Sequence, residues 1–127
     1  MSHNPSSAQQ SASVIIGASG GIGDALVRRY LALGDCETVF AVSRTSQTSS
    51  VALSGTRLRW LLCDSSGEDV KRVVEELVSS GLNLRRIIIC TGLLHNEDIT
   101  PEKSLDKLDP DAMRAVFDVN LVIPALW

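Results

Sequence analysis

Four short apolar runs alternate with polar stretches along the chain and predict the strands of a buried sheet. The first run, at residues 14–16, contains only Val and Ile, and others follow at 38–42, 58–63 and 86–90. Continuous apolar runs rich in β-branched residues are typical of strands that are covered on both faces. We therefore expect a sheet with helices packed against each side.

Between and after these runs, apolar residues recur at helical spacing and predict three amphipathic helices. The predicted stripes are Ile22, Leu26, Tyr30 and Leu33, with Ala25 beside them; Val70, Val73, Val74, Leu77 and Val78; and Met113, Val116, Phe117, Asn120 and Leu121. Gly34 and Gly81 are of the residue type that most often ends a helix. Residues 65–68 have the form of a capping box. Thr100-Pro101 and Asp109-Pro110 each predict a helix start.

The order of these elements predicts the fold class. A strand, a helix and a second strand form a β-α-β unit, and such crossovers are almost always right-handed, so the two strands lie parallel. Continued along the chain, this order predicts a doubly wound parallel sheet of the Rossmann type, with three α/β/α layers and strand order 3-2-1-4. The complete fold has six strands, so these four would form its first part.

The turn after the first strand carries the clearest chemical signal, because it reads Gly17-Ala18-Ser19-Gly20-Gly21-Ile22-Gly23. Gly17 lets the chain turn sharply off the strand. A glycine around Gly20 to Gly21 removes the Cβ that would block a diphosphate, and Gly23 lets the helix pack closely on the sheet. The N–H groups of the first helical turn then face the phosphates. We predict a bound nucleotide here; a plain glycine-rich turn is the alternative.

The end of the second strand bears on which dinucleotide would bind. An acidic residue at this point binds the ribose 2′-hydroxyl of NAD(H), whereas an arginine accommodates the 2′-phosphate of NADP(H). The strand ends in Ser43-Arg44 with no Asp or Glu, and a planar guanidinium suits a phosphate. NADP(H) is therefore favoured over NAD(H), with a solvated loop arginine as the alternative.

Composition narrows the classes of function. The net charge of −3 and the lack of a basic run give no reason to expect nucleic acid or a membrane surface as a partner, and no apolar run reaches the roughly 20 residues of a membrane span. The cysteines are odd in number and widely spaced, so we expect no metal site and a cytoplasmic location. Residues 1–12 are expected to form a disordered tail before a domain at 13–127.

The spacing Gly17-x-x-x-Gly21-x-Gly23, together with Asp64, Gly92 and the segment 117–120, resembles the N-terminal half of short-chain dehydrogenases/reductases. The surroundings of Leu93-Leu94-His95 and Lys103-Ser104-Leu105 are similar to those in the C-factor-like, cell-contact-signalling branch of that family. The resemblance implies that Asp64 contacts the adenine amino group. From the residues alone, Asp64 could equally cap the second helix.

Three further site residues follow from the same resemblance. Thr91-Gly92 implies a contact with the cofactor, although Cys90-Thr91-Gly92 keeps only the glycine of the family's Asn-Asn-Ala-Gly-like turn. Asn120 would be the active-site asparagine, which supports a water-linked proton path to the catalytic lysine. From the sequence alone, Asn120 is a polar residue on an apolar stripe that needs hydrogen-bond partners, since an unpaired buried amide costs about 1–3 kcal/mol.

The resemblance also implies an activity, namely hydride transfer between a nicotinamide cofactor and a small-molecule carbonyl or alcohol. Family catalysis uses a Tyr-x-x-x-Lys pair, but the single tyrosine here is Tyr30 and no such pair occurs. We therefore expect a truncated, inactive part of a longer oxidoreductase. A non-catalytic dinucleotide-binding sensor or signalling module is the alternative, and a methyltransferase is disfavoured because no acidic residue ends the second strand.

Assembly is a further expectation. The strand edge at residues 87–89 and the last helix are apolar and are expected to make the chain associate. The family often forms dimers and tetramers, so the resemblance implies a homo-oligomer.

Overall fold

The computed structural model describes residues 10–45 and 57–127, which form a four-stranded parallel sheet with helices on both faces. The strands are β1 (Ser11–Ile16), β2 (Thr38–Ser43), β3 (Leu58–Leu62) and β4 (Asn83–Ile89). Their order across the sheet is β3-β2-β1-β4, and every neighbouring pair is parallel. The predicted fold class and strand order are therefore confirmed. β1 begins at Ser11, so the sheet takes in two residues expected in the tail, while residues 1–9 and 46–56 lie outside the described part.

The helices are α1 (Gly21–Leu33), α2 (Gly67–Ser79), α3 (Pro110–Phe117) and α4 (Ile123–Leu126). A π-helical turn, Asp118–Val122, joins α3 to α4, and a short 3-10 turn, Leu105–Lys107, precedes α3. Gly34 and Gly81 follow α1 and α2 with φ of +68° each, the left-handed conformation in which glycine commonly ends a helix. None of the helices in the described residues is long and apolar enough to span a membrane.

Consecutive residues of β1 contribute to two separate cores. Val14 and Ile16 pack with Val70 and Val73 of α2, whereas Ile15 packs on the opposite face with Val27 of α1. Because side chains alternate along a strand, covering both faces of β1 requires apolar residues at every position. This arrangement explains the unbroken apolar run and gives the three layers.

The predicted buried face of α1 is partly wrong. Ile22 is 73% exposed and Leu33 is also exposed, whereas Gly23 and Val27 are buried. The reason is a close contact with the preceding turn, because a Cβ on Gly23 would lie only 2.0 Å from the carbonyl oxygen of Gly17. This contact fixes the rotation of the helix so that Gly23, and not Ile22, faces the sheet.

No helix begins at Pro101, so that prediction is wrong. Residues 100–104 are irregular, and Leu105 in the following 3-10 turn is 87% exposed. Pro110 restricts the residue before it to extended conformations, so a helix from Pro101 would be short, and short helices without a buried face are marginal in water. The second predicted start is observed, because the side chain of Asp109 caps α3 and accepts a hydrogen bond from Asp111 N at 3.0 Å.

The stripe predicted for the last helix is also partly wrong. Phe117 and Leu121 are exposed, while Val119 and Ile123 are half-buried. The π turn holds more residues than an α turn, so it shifts the buried face relative to regular helical spacing. At the edge of the sheet, Ile87 of β4 is exposed as well. The expected association of the chain stays a prediction.

Candidate functional site

The carboxyl ends of all four strands open into one cavity of about 630 Å³. Ligands of open α/β sheets bind at this edge, and the volume lies within the range of small-molecule sites, roughly 300–1,000 Å³. The wall includes eight of the residues predicted from sequence to bind a cofactor: Gly17, Ser19, Gly20, Ser43, Arg44, Asp64, Thr91 and Gly92. The predicted residues Gly21, Ile22, Gly23 and Asn120 lie outside it.

The turn after β1 is tied firmly to its neighbours. The backbone N–H groups of Gly17 and Ala18 both donate to the carbonyl oxygen of Val42, at 2.9 and 3.1 Å. Gly17 has a φ of +83°, and a Cβ there would lie 2.9 Å from the backbone nitrogen of Thr91. Both conformation and space therefore require glycine at this position.

The N-terminus of α1 faces the cavity through Gly20. This residue is the N-cap, and having no side chain it supplies no side-chain acceptor to the helix. Its carbonyl accepts the first helical hydrogen bond from Asp24 N at 2.8 Å. A Cβ on Gly20 would meet nothing closer than 3.6 Å, and one on Gly21 nothing within 4 Å. Since the first N–H groups of a helix lack intrahelical partners and carry partial positive charge, this open end suits an anion.

Arg44 and Asp64 place a cation and a carboxylate on one side of the glycine turn that follows β1, just beyond the ends of β2 and β3. The two strand ends are joined by a hydrogen bond from Cys63 N to Ser43 O at 2.9 Å. Ser43 is buried and its hydroxyl donates to Thr45 O. Arg44 and Asp64 are exposed and both line the cavity. This side of the cavity therefore offers a donor set for a phosphate and an acceptor for an amino group.

Asn120 anchors the part of the cavity wall that is formed by the loop after β4. Its Oδ1 accepts from Leu93 N at 2.7 Å, and its Nδ2 donates to Leu93 O at 2.8 Å. One side-chain amide thus pairs with both backbone groups of a residue that lines the cavity. Asn120 itself is exposed and sits in the π turn, a feature found frequently at functional sites.

Several wall residues were not assigned to the site from sequence. Cys63 and Cys90 line the cavity, and burial raises the pKa of each thiol, so both are neutral near pH 7. His95 and Asn96 also line it, on a loop that folds back because Asn96 Oδ1 accepts from the amides of Asp98 and Ile99. Asparagine is a common turn residue, so this fold-back could have been inferred.

Three more wall residues, Val119, Ile123 and Trp127, come from the last helical segment, whose place beside β4 leaves no local signal in the sequence. In the part of the chain that the structure describes, no three His, Cys, Asp or Glu side chains are grouped to hold a metal ion.

Comparison with known proteins identifies the family. A family model described as short chain dehydrogenase matches residues 11–125. The chain belongs to the short-chain dehydrogenase/reductase family. Its members are oxidoreductases that bind NAD or NADP. A comparison with curated proteins gave no significant match, and membership of the C-factor-like branch stays a prediction.

Several solved structures share this fold. The KRED1-Pglu enzyme has 28% sequence identity and a TM-score of 0.77, with 92% of this chain and 48% of that chain covered. A short-chain dehydrogenase from Streptomyces avermitilis has 20% sequence identity and a TM-score of 0.75, with 92% of this chain and 41% of that chain covered. Serine dehydrogenase from Escherichia coli has 17% sequence identity and a TM-score of 0.72, with 91% of this chain and 51% of that chain covered. The chain thus spans about half the length of these structures.

Proposed function

We propose that this chain is the dinucleotide-binding part of an NADP(H)-dependent oxidoreductase that transfers a hydride between the nicotinamide and a small-molecule carbonyl or alcohol. The observation that carries the proposal is the position of the α1 N-terminus, which opens into the same cavity as Arg44 and Asp64. The residues present fit the cofactor, because the space beside Gly20 and Gly21 is open where the diphosphate would approach the helix.

Each side of the cavity has a distinct role in this proposal. The amides of the first turn of α1, with Ser19, bind the diphosphate. Arg44, with Ser43 beside it, binds the 2′-phosphate, for which the guanidinium offers two parallel donors. Asp64 accepts a hydrogen bond from the adenine amino group, and Thr91-Gly92 contacts the half of the cofactor that carries the nicotinamide.

The nicotinamide supplies or accepts the hydride when the cofactor is bound. The role of this chain is to hold and orient it, and Asn120 contributes by fixing Leu93 in the loop after β4. By its resemblance to family members, Asn120 also supports a water-linked proton path. Residues 13–127 contain no Tyr-x-x-x-Lys pair, so we propose that the proton donor, its lysine and the substrate serine belong to a longer protein.

The setting of the parent enzyme is part of the same proposal. Cys36, Cys63 and Cys90 are all free thiols, which supports a reducing, cytoplasmic location. The family often assembles into oligomers, and the exposed apolar residues of β4 and the last helical segment support a homo-oligomer.

Calorimetric titration with NADPH and NADH tests the cofactor assignment. We expect NADPH to bind more tightly than NADH. Arg44→Ala should weaken the binding of NADPH by about 10-fold or more, the usual effect of losing a hydrogen bond to a charged group, and should leave the binding of NADH unchanged. Arg29→Ala is the matched control, because Arg29 is an exposed arginine of α1 outside the cavity wall. Failure to bind either dinucleotide would refute the proposal, and tighter binding of NADH would refute the preference.

A non-catalytic dinucleotide sensor is the second candidate. It is favoured by one feature of this chain, which holds the cavity but lacks the Tyr-x-x-x-Lys pair. The two candidates differ in the activity of the natural protein that contains this chain. Oxidation of NADPH in the presence of simple carbonyl compounds supports the oxidoreductase, whereas tight NADPH binding without any turnover supports the sensor.

A further inference from the structure

The turn between β3 and α2 is held by a variant of the capping box, in which one of the two hydrogen bonds involves a residue that precedes the N-cap. In a standard box, the N-cap side chain and the third helical residue each accept a hydrogen bond from the other's amide. Here the N-cap is Ser66, one residue later than predicted, and its Oγ accepts from Asp69 N at 3.2 Å. The return bond is different, because Asp69 Oδ2 accepts from Asp64 N at 2.7 Å. Asp64 Oδ1 in turn accepts from Ser66 N, also at 2.7 Å.

This pattern fixes both the backbone and the side chain of Asp64. The residue after it, Ser65, has a φ of 70° and is the only non-glycine residue of the described chain with a positive φ. Such a conformation is strained for a residue with a side chain, and residues that adopt it are concentrated at functional sites. The reversal at Ser65 leaves Asp64 in the cavity wall. Its Oδ2 accepts no hydrogen bond from the described residues, so this oxygen is available to a ligand.

Asp69 is in turn held by Arg72. Its Oδ1 accepts from Arg72 Nε at 2.6 Å, and Arg72 Nη2 donates to Leu62 O at the end of β3. The hydrogen bond from Arg72, followed by that from the Asp64 amide, lowers the pKa of Asp69. Asp69 is therefore ionised at neutral pH and accepts hydrogen bonds at both oxygens. Neither Asp69 nor Arg72 lines the cavity, so each can act on a ligand only through Asp64.

We propose that Asp69 is a positioning residue that sets the specificity of the cavity for an amino-bearing purine, by holding Asp64 so that its free carboxylate oxygen meets the exocyclic amine. The proposal rests on the cofactor role proposed above for Asp64. A carboxylate only accepts hydrogen bonds, so it pairs with the amino group of adenine. Hypoxanthine carries a carbonyl oxygen at the same position, which would face the carboxylate as a second acceptor. A site built in this way rejects the analogue.

The test compares binding of NADPH with that of its hypoxanthine analogue, reduced deamino-NADP, by calorimetry. For the unmodified chain we expect NADPH to bind about 10-fold or more tightly, the usual effect of a hydrogen bond to a charged group. Asp69→Ala should lower the ratio of the two affinities to roughly 2-fold, because only the binding of NADPH is weakened. Asp69→Asn should preserve most of the ratio, because its amide oxygen can still accept from Asp64 N.

Glu76→Gln is the matched control. Glu76 is the other carboxylate partner of Arg72, with Oε2 3.5 Å from Nη1, and it does not contact Asp64. Its substitution should leave the ratio unchanged. If Asp69→Ala does not fold, Asp69→Glu gives the same information, because it keeps the charge but moves the carboxylate away from the Asp64 amide; the ratio should fall.

The outcomes separate this inference from the proposed function. Equal weakening of both dinucleotides in Asp69→Ala, or an unchanged ratio, would overturn the positioning role. Equal binding of both dinucleotides by the unmodified chain would overturn it too, while leaving cofactor binding intact. Binding of neither dinucleotide would refute the proposed function itself.

Discussion

Replacing Gly23 with alanine tests the close contact between α1 and the turn before it. The new Cβ would lie 2.0 Å from Gly17 O, 2.8 Å from Gly17 C and 2.9 Å from Ala18 Cα. All three are backbone atoms of a turn that two hydrogen bonds tie to β2. Because no flexible side chain can give way, either α1 must move outward or the turn must open.

The size of the effect follows from these distances. Real Cβ atoms essentially never approach another heavy atom within 3.0 Å, so the helix and the turn must separate by about 1 Å. Overpacking costs about 1–3 kcal/mol, and the upper value applies here because the new Cβ meets only backbone atoms. Replacing a helical glycine with alanine returns up to about 1 kcal/mol. We expect a net loss of about 2 kcal/mol in the free energy of unfolding, a large share of the 5–15 kcal/mol of an average domain.

Urea unfolding followed by far-UV circular dichroism measures this loss. With a slope of about 1–3 kcal/mol per molar urea, a loss of 2 kcal/mol lowers the midpoint by about 1 M. Gly21→Ala is the matched control, because it lies in the same helical turn and its Cβ would meet nothing within 4 Å. That variant should be as stable as the parent or up to about 1 kcal/mol more stable. A Gly23→Ala variant within about 0.5 kcal/mol of the parent would refute the reasoning.

Three other predictions concern stability and thiol chemistry. Asn120→Ala should lose about 1–2 kcal/mol in urea unfolding, because two hydrogen bonds to Leu93 are removed; unchanged stability would show that this contact does not anchor the loop. The pKa of Asp35 is held below its ordinary 3.8, chiefly by a hydrogen bond from Arg86. The resulting stability is complete above that value and is lost as the pH falls through the lowered pKa, so Asp35→Asn should flatten the acid limb of the stability profile; parallel profiles would contradict this. The two cavity cysteines should react slowly with iodoacetamide at neutral pH, because burial raises their pKa, and more slowly with NADPH bound; rapid alkylation in the folded chain would count against their burial.

The strands and the turn after β1 were predictable because their signals are local. A strand covered on both faces needs apolar residues at each position, so residues 14–16 stand out without any knowledge of their neighbours. The run at 87–89 also predicts a strand correctly, although β4 lies at the edge of the sheet and exposes Ile87 and Ile89. The glycines are equally direct, since the positive φ of Gly17 and the contact at Gly23 leave no room for another residue. Eight of the twelve predicted site residues consequently line one cavity.

The errors arose where a distant contact or an irregular turn decides the geometry. The rotation of α1 depends on the contact of Gly23 with Gly17, which regular helical spacing does not encode. The π turn at Asp118–Val122 changes the helical repeat and exposes Phe117. At α2, Ser65 and Ser66 are equally good caps by residue type, and the left-handed conformation of Ser65 selects the second.

The cavity wall depends on three hydrogen-bonded turns, one after each of β1, β3 and β4. Gly17 N is held by Val42 O, Asp64 N by the carboxylate of Asp69, and Leu93 N by the amide of Asn120. In each case a backbone amide beside the cavity is satisfied by an acceptor from another part of the chain, so the wall is ordered before a ligand binds. Pre-organisation of this kind removes part of the entropic cost of binding. The last two acceptors are side chains outside the wall, so Asp69 and Asn120 should influence affinity although neither is placed to touch the diphosphate.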